Sequence, residues 1–219
     1  MASSDKLGLQ RRDVAVALTK GLAGFAPGVG QLLGEAIGTA IPNQRIDRVA
    51  DFARELGRRI DLLSLEVERL RCFLESGEGL EAFEALVLQV ARSTSARRRE
   101  HLASLFVNAV WSADFDHEKT MVLLRLLDEL TDAELVFLQF FAIEDDEERW
   151  EFARRFEAVV GGIDRTSGAP RDRERYAVQE GQLQNLRRAG VVSGGAAIGV
   201  TELGKMLLRE IHDPASTAE

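Results

Sequence analysis

Cysteine occurs once in this chain, at Cys72, histidine three times, at His101, His117 and His212, and tyrosine once. A single thiol excludes an internal disulfide framework. With no CxxC pair or Cys/His cluster, the usual structural zinc patterns are excluded as well. A reducing, cytoplasmic setting fits this cysteine usage. Neither a HExxH pair nor a nucleophilic Cys or Ser motif accompanies the histidines, which read as ordinary surface or helix-capping residues. Gly161, Gly162 and Gly168 lack the GKS/T ending of a phosphate loop, and no strand precedes the other glycines as a dinucleotide fingerprint requires. Asp114, Asp116 and Glu118 alternate like the start of a calcium loop, but the sixth position is Lys119 where glycine is needed and the twelfth is not glutamate. The sequence therefore predicts no catalytic residue, no metal site and no cofactor.

Basic charge is also short: the formal net charge is -8, which disfavours general coating of a polyanion. The acidic excess concentrates between residues 131 and 170, where ten acidic side chains face four basic ones. The one unbroken basic triplet is Arg97, Arg98 and Arg99, which with Arg92 is a candidate receptor for an anion or lipid headgroup, or else a solvated face paired with Glu100. The first twenty residues lack the basic run, unbroken apolar core and small-residue cleavage site of an export signal, and none is expected.

What is present is apolar and helical. Hydrophobic residues make up 45% of the chain, ample for packed cores, and strand alternation is missing before residue 190. The expected class is mainly α, in four parts: a glycine-rich apolar helical hairpin over 1–42, a long heptad helix and helical bundle over 43–130, a winged-helix-like module with a small β-hairpin over 131–212, and a flexible tail over 213–219.

In the first part, Pro27 and Gly28 break a glycine-dense stretch into two arms. Gly30, Gly34 and Gly38 recur at every fourth residue and share a helix face that lets another backbone approach closely. Phe25, Leu32, Leu33 and Ile37 supply the bulk facing lipid or core. Residues 22–41 approach the ~20 residues that span a bilayer, but Glu35 within them costs roughly 2.5–3.5 kcal/mol in lipid. A packed soluble hairpin and a membrane-contacting one both remain open.

After Pro42 and the N-cap candidate Asn43, a heptad runs with Ile46, Ala53, Ile60, Val67 and Leu74 at a, and Val49, Leu56, Leu63 and Leu70 at d. β-Branched residues at a with leucine at d suit a two-stranded coiled coil, making Ile46, Val49, Leu56, Ile60, Leu63, Val67 and Leu70 candidate oligomerisation residues and a homo-oligomer the expected assembly. Phe52 and Phe73 at g widen the stripe, as a helix packed within its own bundle requires, and favour that second reading. Cys72 falls on the polar side.

Ser76, Gly77 and Gly79 are expected to end that helix, with Glu81–Ala91 as a short apolar successor. Helices then follow with Leu102, Leu105, Phe106 and Val110 buried, across a turn at Asp114–Asp116, and over Met121–Leu130. Thr131 and Glu134 form a capping box opening a helix over Asp132–Ile143, and an acidic-to-basic helix is expected over Asp145–Val160. The string LQNLRRAGVV, six residues of wing and VTELGKMLL resemble the end of winged-helix domains, where a leucine-rich helix passes through glycine into a two-stranded wing and a threonine-capped helix. Such modules contact DNA or protein. Arg187 and Arg188 join Arg97, Arg98 and Arg99 as candidate anion-binding residues, although the wing SGGAAIG carries no cation to grip a phosphate.

Taken together, HLASLFVNAV, LDELTDAELVFLQFF with Leu130, Thr131, Asp132 and Glu134, NLRRAGVV and VTELGKMLL resemble the bacterial abortive infection alpha family over roughly residues 80–212. The glycine-rich front departs from that pattern in its length. The resemblance implies phage defence by host self-limitation and brings no catalytic residues with it. The expectation is a non-enzymatic effector that oligomerises and meets a membrane, or forms a pore, through the glycine-rich hairpin, cytoplasmic until activated. The alternative is a soluble winged-helix regulator or adaptor for nucleic acid, a nucleotide ligand or a partner protein.

Overall fold

The computed structural model describes residues 46–62, 67–161, 170–194 and 198–212. The expected glycine-rich hairpin, with Phe25, Gly30, Leu32, Leu33, Gly34, Ile37 and Gly38, lies outside the described residues, as do Leu63 and the tail over 213–219. The described chain is mainly helical and divides into two compact units, one drawn from Met1–Leu124 with Glu210–Glu219, the other from Arg125–Arg209.

Unit 1 contains helices α1 (Ile46–Leu62), α2 (Val67–Glu75), α3 (Gly77–Arg92), α4 (Ala96–Trp111) and the first turns of α5 (His117–Glu129). Along α1 the buried residues Val49, Phe52, Ala53, Leu56 and Ile60 follow the three-to-four spacing of one helical face. That face packs on α3 and α4, which α2 also meets. The bundle reading of the heptad therefore describes where these side chains go: Val49, Leu56, Ile60 and Leu70 lie at 2% exposure or less inside their own unit, with Phe52 and Phe73 beside them. Val67 is half-buried. Phe106 centres the core, edge-on to Phe73 at 5.6 Å and tilted against Phe83 at 5.2 Å.

The helix junctions of unit 1 are closed by specific bonds. Ser76 accepts from the Gly79 N–H at 3.0 Å, so the glycines expected to end the preceding helix lie inside α3 with Ser76 as its N-cap. Gly79 is required by close approach, since a Cβ there would stand 2.1 Å from the Phe73 carbonyl oxygen. Two arginines close helix C-termini, where unpaired carbonyls gather negative potential. Arg48 donates to the Ala91 and Arg92 carbonyls at 3.3 and 3.1 Å, and Arg69 to those of Val110, at 3.0 Å, and Ser112.

Unit 2 takes the end of α5, then α6 (Asp132–Ala142), α7 (Asp146–Arg155), α8 (Glu157–Val160), α9 (Pro170–Arg188) and most of α10 (Glu202–Ile211). The capping box forms at the head of α6, with both reciprocal bonds of Thr131 and Glu134 in place. Asp145 caps α7 by accepting from the Glu148 N–H at 2.8 Å. The single helix expected over Asp145–Val160 is instead two. Phe156 leaves helical geometry at φ -114 and ψ 32, and the bend turns α8 onto α6. Among the described residues there is no named strand, and the place of the expected β-hairpin holds one antiparallel bridge, Val192 with Val200.

Candidate interaction surfaces

The polar interior of unit 1 centres on Arg59, 2% exposed on α1. Its Nε donates to Glu55 Oε1 at 2.6 Å and its Nη1 to Ser104 Oγ on α4. Arg58 grips the same carboxylate at 2.7 Å. Burial alone raises the Glu55 pKa, but the hydrogen bonds and charges of Arg58 and Arg59 outweigh it and hold the carboxyl below its ordinary value of 4.5. An arginine on a helix face is normally solvated. Here the pairing compensates its removal from water.

A second polar group lines a small cleft among Asn108, Asp114, Asp116, Lys119, Thr120 and Glu210. Lys119 Nζ pairs with Glu210 Oε1 at 2.8 Å, Asn108 Nδ2 donates to the Glu210 carbonyl at 2.9 Å, and Asp116 caps the start of α5 through the Lys119 N–H at 2.9 Å. The cleft encloses about 10 Å³, room for roughly one water. The helix-capping role expected for the Asp114–Asp116 turn is the one Asp116 plays.

The histidines lie apart. His101 is buried at 8% exposure in α4, a correction to its expected surface position: every residue from His101 to Val107 is buried, so this part of the helix is enclosed all round. His117 Nε2 lies 3.4 Å from Glu81 Oε2, and His212 is exposed. No group of three His, Cys, Asp or Glu side chains is placed to hold a metal among the described residues.

The candidate anion-binding arginines fall in different units. Arg97, Arg98 and Arg99 are half-buried at the head of α4. Arg99 bonds the Ser95 carbonyl at 3.3 Å and lies 3.7 Å from Asp51. In unit 2, Arg187 lies 3.9 Å from Glu180, Arg188 donates to Asn185, and Arg175 donates to the Glu157 carbonyl at 3.2 Å. Arg171 and Arg175 share a helical face that Arg173 does not, so α9 presents no continuous basic stripe.

The end of α9 is a tightly built corner. Gly190 adopts φ 74, the left-handed conformation that a side chain resists. Its N–H bonds the Arg187 carbonyl at 3.0 Å while that of Val191 bonds Leu186 at 3.2 Å. This is a Schellman ending, completed by the buried contact partners Leu186 and Val191. Thr201 then locks the corner: its hydroxyl donates to the Gly190 carbonyl at 2.7 Å and accepts from the Gly204 N–H at 3.1 Å. Gly204 is held against Val191, whose carbonyl oxygen would stand 2.3 Å from a Cβ.

A further surface of unit 2 was not foreseen. Helix α7 buries no side chain and leaves Trp150 at 60% exposure, while α9 leaves Tyr176 at 38% and Val178 at 61%. A sequence signal existed for α7: Trp150 sits in a segment otherwise polar through Arg149 and Glu151, with no apolar partner one turn before it.

No protein-family model, curated protein or solved structure matches the chain.

Proposed function

We propose that this chain acts by contact rather than catalysis, as a non-enzymatic anti-phage effector that assembles and meets a membrane through its glycine-rich segment, 22–41, while the helical units serve as its scaffold. The observation that supports this is how unit 1 engages its reactive groups. Glu55 is tied to Arg59 and Arg59 in turn to Ser104, and Lys119 and Asn108 are tied to Glu210. A catalytic base instead faces space that admits a substrate, whereas these described groups face one another. No described helix is long and apolar enough to cross a membrane; the reading assigns lipid contact to residues 22–41, where the fourth-residue spacing of Gly30, Gly34 and Gly38 is the sequence pattern of close helix approach. The resemblance to the abortive infection alpha family supplies the setting. Replacing Gly34 by Leu tests the reading: toxicity on induced expression is lost while the body stays folded, and wild-type toxicity at equal expression contradicts it.

A second reading, a winged-helix adaptor, is favoured by the Gly190–Thr201 corner, where a helix, a glycine turn, the Val192–Val200 bridge and a threonine-capped helix follow in winged-helix order. The interleaved charges of α9 favour a protein partner over nucleic acid for such a module. Charge reversal at Arg187 and Arg188 together abolishes partner binding under this reading, and unchanged binding removes it.

A further inference from the structure

We propose that α7 is the seam of a homodimer in which two copies of the helix pack antiparallel about a twofold axis. The argument begins with the sequence of the helix, DEERWEFARR, acidic in its first turn and basic in its last. Glu147, Trp150 and Arg154 stand at i, i+3 and i+7, so they share one face. All three are exposed. Trp150 is 60% exposed, and the guanidinium of Arg154 lies over its ring at 4.4 Å.

This face complements itself when inverted. A twofold axis passing between Trp150 and Glu151 sets Glu147 of each copy opposite Arg154 of the other, the two charge pairs lying roughly 10 Å from each other along the seam at 1.5 Å per residue. The two tryptophans meet at the centre with Ala153 beside them. An isologous contact of this kind needs one surface serving both sides, which an acid–aromatic–base order supplies. Antiparallel helices also oppose their dipoles favourably. A nucleic acid or an anionic membrane would instead select a face of one positive sign. Tryptophan and arginine are residues that anchor interfaces, and burial of Trp150 supplies the apolar gain while the charge pairs fix direction and register. One helix is a small contact, so the association belongs to the weak, transient class. The inference does not rest on the membrane reading, because it concerns unit 2 alone.

Sedimentation equilibrium of the full chain over a wide concentration range tests it. Arg154→Glu places Glu147 opposite a glutamate, and Glu147→Arg places an arginine opposite Arg154. Each single variant lowers the high-concentration mass twofold relative to wild type while the chain keeps its helical content. The double variant regains wild-type mass, and so does an equimolar mixture of the two single variants, since each then carries the charge the other lacks. Any assembly through residues 22–41 persists in every variant and leaves this pattern intact. A mass curve unmoved by either single reversal, or single variants that do not recover on mixing, overturns the proposal.

Discussion

Asn185 Nδ2 donates to Glu134 Oε1 at 2.8 Å, tying the last turns of α9 to the capping box at the head of α6. The same carboxylate accepts from the Thr131 N–H at 2.6 Å and hydroxyl at 2.9 Å. Glu134 is 4% exposed, so a cap that in most helices sits in water is here an internal fastener of unit 2.

Removing it therefore costs more than a surface cap. Glu134→Ala leaves the Thr131 N–H and Asn185 amide without their acceptor, and a loss of about 2–3 kcal/mol is expected from a cap worth ~1 kcal/mol and an unsatisfied buried group worth 1–3. Asn185→Ala removes only the bond to α9 and costs less. Chemical denaturation of the two variants measures both.

The Gly190–Thr201 corner predicts an order of sensitivity. Thr201→Val keeps the shape but loses both hydroxyl bonds, a cost of about 1–2 kcal/mol. Gly190→Ala forces a side chain into the left-handed region, at roughly 1–2 kcal/mol. Gly204→Val drives atoms into the Val191 carbonyl and is the most damaging of the three, displacing α10 from the corner. Thermal unfolding ranks them, and amide exchange at Val191 reports the corner directly.

Glu55 gives unit 1 an acid sensitivity. Its folded pKa lies below the ordinary 4.5, so the stabilisation it contributes is fully present above that value and is lost as the pH falls through its lower folded value. Protonation leaves the buried Arg59 charge without its counterion. Glu55→Gln is expected to destabilise the protein at neutral pH and to flatten the decline in unfolding temperature below pH 4.5, as scanning calorimetry across the acid range would show.

Much of this architecture was legible in the sequence because it rests on local rules. The capping box at Thr131, the glycine turn at Gly190 and the threonine cap at Thr201 are each set by a few neighbouring residues, and the structure places all three. The apolar stripe of α1 was equally plain, and its width, with Phe52, pointed to a bundle. Features decided by a distant partner were not legible. Arg59 follows Phe52 by one heptad, yet nothing nearby announces that Ser104 on another helix will receive it. His101 read as a surface residue because its polarity says nothing of how completely its neighbours enclose α4. The break at Phe156 escaped notice because neither glycine nor proline marks it, and the bend accompanies the packing of α8 on α6. The exposed face of α7 was signalled only by Trp150 standing alone in a charge run, since its exposure depends on what the rest of unit 2 fails to cover.

The most direct test of the proposed function is flotation of the purified full-length protein with anionic phospholipid vesicles, beside the variant Leu33→Glu with Ile37→Glu, which puts two charges into the glycine-rich segment. The account predicts that the wild-type chain floats with the vesicles and releases an entrapped dye, and that the variant stays at the bottom of the gradient with its helical content intact. A wild-type chain that stays at the bottom, or a variant that floats equally well, would contradict it.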